Sequence, residues 1–213
     1  MIYFKKSQPA PNCLNKNIDY RCGDVLERLS KDFKDKCYIC EEKQPTTINI
    51  EHFIPHKENI QLKFNWDNLF FACGHCNNIK LDNYINILNC TKKEDEVETK
   101  IKYLIKSFPK IEVLIEVIKN DEKTINTAEL LENIYDGKTE NKRLQSKYKR
   151  NKLIKEINEF TDLTSKFEKN RSEEYLKNLI IEHLDSASAF TAFKRWIIRD
   201  NSRLYEDFKE FLK

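Results

Sequence analysis

Four cysteines stand in two CxxC pairs, at residues 37–40 and 73–76. A gap of two residues lets one tight turn present two thiolates to one ion, and zinc binds four such ligands at the corners of a tetrahedron. One pair alone would also suit a thioredoxin-like redox site. Two pairs, in a chain with no βαβ pattern beside them, favour zinc over redox chemistry and over two unrelated buried pairs. The sequence therefore predicts one structural zinc, bound by Cys37, Cys40, Cys73 and Cys76.

The three other cysteines, Cys13, Cys22 and Cys90, belong to neither pair, and we expect free thiols. No apolar run approaches the roughly 20 residues that span a bilayer. The first residues also lack the long apolar segment and the cleavage site of a secretory signal. We therefore expect a cytoplasmic protein without membrane association. Because the cytoplasm is reducing, a disulfide framework is not expected.

The loop between the two pairs is 32 residues long, which exceeds the commonest spacing in zinc fingers. It contains Glu51 and His52, which are followed by Pro55 and His56. A lone Glu-His pair on a strand is usually a surface feature or a buried histidine with satisfied hydrogen bonds. Inside a double-CxxC frame, and with Asn77 directly after the last cysteine, the pair instead indicates a catalytic site.

The order of these motifs resembles that of HNH (ββα-metal) endonucleases with a structural zinc: CxxC, an acidic residue with His-x-x-Pro, Asn-Leu, CxxC-Asn and Lys. The resemblance covers residues 37–80. In that family a two-stranded ribbon and one helix hold a divalent ion against the scissile phosphate. The resemblance implies that His52 is the general base that takes a proton from the attacking water. A histidine suits this role because its pKa lies near working pH.

The resemblance also implies roles for three neighbouring residues. Glu51, where family members usually have Asp, would be a ligand of a catalytic Mg²⁺ or Mn²⁺ ion that stabilises the leaving oxygen. Asn68 would tie the loop so that His52 points correctly. Asn77 would be a second ligand at the position of the family's final histidine. Members with zinc knuckles often have Asn there, which favours Mg²⁺ over a metal that prefers nitrogen.

A basic segment lies between residues 138 and 155, with eight basic residues against one acid in a chain whose net charge is +3. Such a helix could follow a phosphate backbone, or it could be a solvated face that acids elsewhere balance. On the first interpretation Arg143, Lys147 and Arg150 contact nucleic acid. We expect Lys80 to contact phosphate as well. His56 either lines the site and contacts a phosphate or is simply a loop residue.

A rival pattern is that of the zinc deaminases, H-x-E followed by P-C-x-x-C. Residues 56–58 and the second CxxC pair match it in part. The proline before the cysteines is missing, however, and the scheme leaves Cys37 and Cys40 without a role. The nuclease interpretation uses all four cysteines and is favoured.

The elements that position these residues follow from the spacing of apolar residues. We expect a helix at 24–33, strands at 47–50 and 69–72, a hairpin or helix over 101–117, a helix from Thr127 to Gly137, and helices at 140–165, 172–185 and 187–212, the last broken near 201–202. The predicted fold class is α+β, with a small zinc-stapled ββα-metal core and a mainly α-helical C-terminal region. Its segments are an arm (1–20), the nuclease core (21–95) and a helical accessory or partner-binding region (96–213).

The arm and the general layout are similar to HNH proteins of bacterial anti-phage defence of the Septu type. This similarity implies phage DNA as the target and an ATPase subunit as partner, docked on the helical half. A single HNH site is expected to nick DNA, so cutting both strands at once would require a homodimer. The alternative function is a zinc-stabilised nucleic-acid-binding or scaffold module with a degenerate nuclease site.

Overall fold

The structure of the protein is a computed structural model that describes residues 1–212. The α-helices within these residues are α1 (Gly23–Asp32), α2 (Ile60–Lys63), α3 (Gly74–Lys80), α4 (Glu122–Asp136), α5 (Glu140–Lys169), α6 (Glu174–Leu184), α7 (Thr191–Asp200) and α8 (Ser202–Phe208). The strands are β1 (Ile48–His52), β2 (Leu69–Cys73), β3 (Ile101–Lys106) and β4 (Glu112–Val117). The predicted α+β class is confirmed.

The two strands between the cysteine pairs form one antiparallel ribbon. Ile48 lies opposite Cys73, and His52 lies opposite Leu69. Strand β2 is buried along its whole length because its sequence, LFFAC, is apolar on both faces. Helix α3 begins directly after β2, so β1, β2 and α3 form the predicted ββα unit.

The second pair of strands is an antiparallel hairpin, as the alternation of apolar residues predicted. Ile101 lies opposite Val117 in the register of β3 and β4. The hairpin packs against α4 and α7. Two helices of the C-terminal half therefore cover the hairpin, α4 on the side of β4 and α7 on the side of β3.

Helix α4 begins earlier than predicted, because its N-cap is Asp121 and not Thr127. The Asp121 side chain accepts a hydrogen bond from the backbone N–H of Thr124 at 3.1 Å. Thr127 lies inside the helix, where its hydroxyl donates to the Lys123 carbonyl at 2.6 Å. The predicted end is correct, since Gly137 follows the helix with a φ of +49°.

The C-terminal helices follow the predicted order, and the predicted break between α7 and α8 lies at Asn201. Two apolar clusters hold the chain together. The first contains Met1 from the arm, Phe70 from β2, Leu131 from α4 and Phe193 from α7. The second joins the C-terminal half of α5 to α6, α7 and α8. The arm, the core and part of the helical region thus share one apolar interior, and the predicted segment boundaries stay a prediction.

One prediction about the cysteines is wrong. Cys13 and Cys22 form a disulfide bond, because a short 3₁₀-helix (Asn12–Lys16) and the turn before α1 bring these two residues together. Cys90 is a free, buried thiol, as predicted. Among residues 1–212, no helix combines the length and the apolar character needed to cross a membrane.

We predict that Asn201→Ala lowers the free energy of unfolding by about 1 kcal/mol. The Asn201 side chain accepts hydrogen bonds from the backbone N–H groups of Arg203 and Leu204, at 3.0 and 3.2 Å, and thereby begins α8. Urea denaturation measures the change. Asn151→Ala, an exposed position on α5, is the matched control and should cause no such loss. Equal stability of the two variants would contradict the capping role.

Candidate metal centre and active site

The two CxxC pairs come together in one buried cluster. The four Sγ atoms all lie within 4.8 Å of one another, and those of Cys40 and Cys73 are 3.9 Å apart. A tetrahedral zinc with Zn–S bonds of about 2.3 Å requires sulfur atoms about 3.8 Å apart. The donor set and the spacing therefore fit a structural zinc, and the predicted clustering of Cys37, Cys40, Cys73 and Cys76 is confirmed.

The second pair depends on a close approach between α3 and the segment before β1. The backbone N–H of Gly74 donates to the carbonyl and to the hydroxyl of Thr47, both at 3.2 Å. A Cβ atom at this glycine would lie only 2.8 Å from the Thr47 hydroxyl oxygen. Glycine thus allows Cys73 and Cys76 to approach the first pair while α3 begins on the end of β2.

A lysine from α5 lies against the cysteine cluster. The Nζ atom of Lys149 is 3.2 Å from the Sγ of Cys40, 3.6 Å from the Sγ of Cys73 and 2.5 Å from a carboxylate oxygen of Glu42. The side chain is 4% exposed. Lys152 also pairs with Glu42, but it is 54% exposed.

The surroundings favour the thiolate at Cys73, whereas burial raises the pKa of Cys37 and Cys76. Hydrogen bonds from Cys37, Cys40 and Cys76 lower the pKa of Cys73, and the charge of Lys149 lowers it further. Burial opposes the charge of Lys149, but the cysteines and Glu42 raise its pKa well above the ordinary value. Because four thiolates and one Zn²⁺ carry a net charge of −2, a buried ammonium beside them partly compensates that charge.

The second centre is a cavity of about 630 Å³ beside the ribbon. Its walls come from the end of the arm, α1, β1, the loop after β1 and α3. They contain the predicted site residues Glu51, His52, His56 and Asn77. The fold thus places these four side chains at one cavity, although they are spread over 27 positions of the sequence.

His52 is half-buried in this cavity, and its two ring nitrogens have different surroundings. Nε2 lies 3.0 Å from the backbone carbonyl oxygen of Lys63, which can only accept a hydrogen bond. Nε2 therefore carries the proton, and Nδ1 keeps a free lone pair. The ring lies between Tyr20 and His56, with centroid distances of 4.6 and 4.7 Å.

The surroundings of His52 favour its neutral form. Burial lowers its pKa below the ordinary value, and the positive charges of His56, Lys63 and Lys80 lower it further, although the bond to the Lys63 carbonyl raises it. A neutral imidazole at neutral pH can accept a proton, which is what a general base requires.

Asn68 fixes the loop that follows His52. Its Oδ1 accepts from the N–H of Ile54 at 2.7 Å, and its Nδ2 donates to the carbonyls of Ile54 and Leu62 at 2.8 and 3.0 Å. Asn68 itself is buried and does not line the cavity. Its contacts are those of a residue that shapes the loop, while its effect on catalysis stays a prediction.

The expectation that Lys80 contacts an external phosphate is not met by the structure. Lys80 is fully buried, its Nζ lies 2.7 Å from a carboxylate oxygen of Glu51, and it donates to the Phe53 carbonyl at 2.9 Å. Tyr38 donates its hydroxyl to the other Glu51 oxygen at 2.7 Å. Lys80 is buried because a buried carboxylate requires a cation beside it. Burial raises the pKa of Glu51, and the contacts with Lys80 and Tyr38 oppose that rise.

The cavity offers hard oxygen donors for a divalent ion. They are the Glu51 carboxylate and the side-chain amides of Asn49 and Asn77, all in the cavity lining. Mg²⁺ and Mn²⁺ prefer such donors, so the residues fit an ion of this kind. Since Lys80 already holds one Glu51 oxygen, an ion at Glu51 has to compete with the ammonium.

The predicted nucleic-acid contacts on α5 have different surroundings. Arg143 and Lys147 are exposed. Arg150 is half-buried, donates to the Tyr135 carbonyl and lies 4.0 Å from Asp136. His75, between the two cysteines of the second pair, is half-buried and forms hydrogen bonds with Gln145 and with the Ile134 carbonyl, at 2.9 and 2.8 Å. Its contacts connect α3 to α4 and α5.

The sequence did not predict two features, the cavity residues Tyr20 and Arg21 and the lysine beside the cysteine cluster. Tyr20 and Arg21 line the cavity, but they lie where the arm ends and belong to no motif. Lys149 was counted within the basic segment, and its charge did not distinguish it from its exposed neighbours. The helical period of the buried residues Ser146, Lys149 and Leu153 is the signal that could have identified it.

Residues 37–83 match the model of the family described as HNH endonuclease. The match contains the four cysteines, β1, β2 and α3, and it covers less than a quarter of the chain. A comparison with curated proteins finds no match to the chain. This segment and its four-cysteine cluster fit a zinc-binding nuclease of the HNH type.

We predict that Lys149→Met releases zinc at least several-fold faster than wild type, because residues around a metal's ligands typically change metal affinity by about 10- to 100-fold. Zinc transfer to a colorimetric chelator measures the rate. Lys152→Met is the matched control, since Lys152 pairs with the same Glu42 but does not contact a thiol. Equal release rates for both variants would show that the contact between Lys149 and the thiols does not stabilise the site.

Proposed function

We propose that the protein is a metal-dependent endonuclease that hydrolyses phosphodiester bonds in DNA, with His52 as the general base. The observation that carries this proposal is the orientation of His52 in the cavity. Its Nε2 is held by the Lys63 carbonyl, its Nδ1 has no hydrogen-bond partner in the described part of the chain, and the ring lines the same cavity as Glu51 and Asn77. The match of residues 37–83 to the HNH endonuclease family supports the same assignment.

The charges around the cavity suit a polyanionic substrate. Glu51 is the one carboxylate in the lining, and its charge is compensated by Lys80. Arg21 and Lys57 also line the cavity and add two positive charges. A cleft with a positive balance attracts the phosphates of a nucleic acid.

In this proposal Nδ1 of His52 takes the proton of the water that attacks phosphorus. The Lys63 carbonyl accepts the hydrogen bond from Nε2 throughout, so it stabilises the imidazolium that forms. Asn68 holds the following loop, which keeps the ring in place. Glu51 and Asn77 would hold the ion. When bound, a divalent ion supplies stabilisation of the negative charge at the leaving oxygen.

One observation favours a second function, a zinc-stabilised binding or scaffold module with a degenerate nuclease site. Each oxygen of the Glu51 carboxylate already has a partner, Lys80 on one and Tyr38 on the other. An ion at Glu51 has to use the remaining lone pairs or displace these partners, and in a degenerate site it does neither. The chain then binds nucleic acid without cutting it.

Several finer parts of the proposal depend on the resemblance alone. They are the role in anti-phage defence, the ATPase partner on the helical half and the homodimer. The contacts of Arg143, Lys147 and Arg150 with DNA depend on the charge of the basic segment, and they stay a prediction together with the contact of His56. A cytoplasmic location also stays a prediction.

We predict that the purified protein nicks supercoiled plasmid in Mg²⁺ or Mn²⁺ but not in EDTA, and that His52→Ala abolishes the nicking. Loss of a general base typically lowers the rate by about 100- to 10,000-fold. His183→Ala is the matched control, because His183 lies in α6 outside the cavity and contacts Lys194. Zinc content and circular dichroism confirm that each variant is folded. If His52→Ala cuts as fast as His183→Ala, the assigned base is wrong. If wild type binds plasmid but does not cut it, the binding module is the better account.

The pH dependence gives a separate prediction. A base acts in its neutral form, so kcat/KM rises with pH and reaches a plateau above the pKa of His52. Because burial lowers that pKa, half of the plateau should be reached below pH 6.5. His56→Gln removes a neighbouring charge that lowers the pKa, so it should move the midpoint toward higher pH. A midpoint above 6.5 in wild type would contradict this environment for the base. Single-turnover cleavage across the acidic range measures the profile.

A further inference from the structure

One wall of the cavity lies outside the segment that matches the HNH family. Tyr20 is the last residue of the arm and Arg21 directly follows it, and both line the same cavity as His52. The disulfide bond between Cys13 and Cys22 closes the loop that carries them. The arm therefore contributes side chains to the site in addition to packing against the core.

Tyr20 connects Arg21 to the proposed base. The ring of Tyr20 meets the ring of His52 edge to face, at a centroid distance of 4.6 Å and an interplanar angle of 71°. The Tyr20 hydroxyl accepts hydrogen bonds from Nε and Nη2 of Arg21, at 3.2 and 3.0 Å. The guanidinium is thus held at the edge of the cavity, one aromatic side chain away from His52.

The charge of Arg21 has no carboxylate partner in the described chain. Within residues 1–212, the arginines in ion pairs are Arg150, Arg171, Arg195 and Arg199. Arg21 is exposed, and its hydrogen bonds use one edge of the guanidinium, so an N–H of its other terminal nitrogen stays available. A fork of N–H donors with a fixed position and an uncompensated charge is suited to a phosphate.

We propose that Arg21, oriented by Tyr20, binds a phosphate of the substrate strand next to the scissile phosphodiester. Lys57 lines the same cavity from the loop after β1. Arg21 and Lys57 come from different parts of the chain, and together they place two positive charges beside the substrate's nucleic-acid strand. The inference rests on the proposed function, since the same cavity binds the substrate, and it assigns part of the substrate binding to the arm.

The test is the binding of a fluorescein-labelled DNA duplex at a series of salt concentrations, without added divalent cations. Arg21→Gln should weaken binding several-fold and reduce the slope of log K against log salt by about 0.9, the value for one lost phosphate contact. Arg21→Lys keeps the charge and should keep most of the slope. Lys16→Gln is the matched control, because Lys16 is an exposed cation of the same arm that does not line the cavity.

Single-turnover cleavage then separates binding from chemistry. Arg21→Gln should raise the concentration that gives half of the maximal rate and leave the maximal rate within about twofold. An Arg21→Gln variant with the affinity and salt slope of wild type overturns the inference, even if His52→Ala abolishes cutting. A loss of slope equal to that of Lys16→Gln also overturns it, because any cation of the arm would then serve. If wild type binds DNA but never cuts it, the proposed nuclease fails, and the difference in slope still decides the role of Arg21.

Discussion

The four-thiol cluster is the constraint on which the rest of the site depends. Its two pairs come from the segment after α1 and from the junction of β2 with α3, so closing the cluster fixes the end of the β1–β2 ribbon at which Cys73 lies opposite Ile48. The ribbon in turn carries Glu51 and His52, and α3 carries Asn77. Lys149 extends the constraint to the helical region, because an ammonium from α5 lies against two of the thiols. The cysteine cluster, the candidate site and the packing of α5 are therefore structurally connected.

A second group of buried charges lies at the wall of the cavity. Glu51 lies between Lys80 and Tyr38, and Lys80 also holds the carbonyl of Phe53, the residue that follows His52. Separating such a buried pair leaves an uncompensated charge, which typically costs about 3–5 kcal/mol. The same pair that holds the backbone at His52 thus competes with a divalent ion for Glu51. Whether Glu51 stays paired with Lys80 or binds a divalent ion distinguishes the proposed nuclease from the proposed binding module.

The local parts of the fold and site could be predicted from sequence, because they depend on period and spacing. The two CxxC pairs, the β1–β2 ribbon and the β3–β4 hairpin are of this kind. The burial of Lys80 and Lys149 could not be predicted, because a lysine is buried only when tertiary packing supplies its partner. Tyr20 lies in a segment that has neither a periodic pattern of apolar residues nor a motif, so its place at the cavity could not be predicted. The bond between Cys13 and Cys22 was not predicted, because a reducing compartment was expected and the sequence does not show that these two residues lie close together in the fold.

The most direct test of the account is plasmid cleavage at controlled zinc occupancy, with Mg²⁺ held constant. A zinc-selective chelator removes the structural ion, and added zinc restores it, while zinc per chain is measured in the same samples. If the cluster positions His52, cleavage should fall in proportion to zinc occupancy and return when zinc is added. Full cleavage by a protein without zinc would contradict the claim that the four-thiol cluster holds the active site in place.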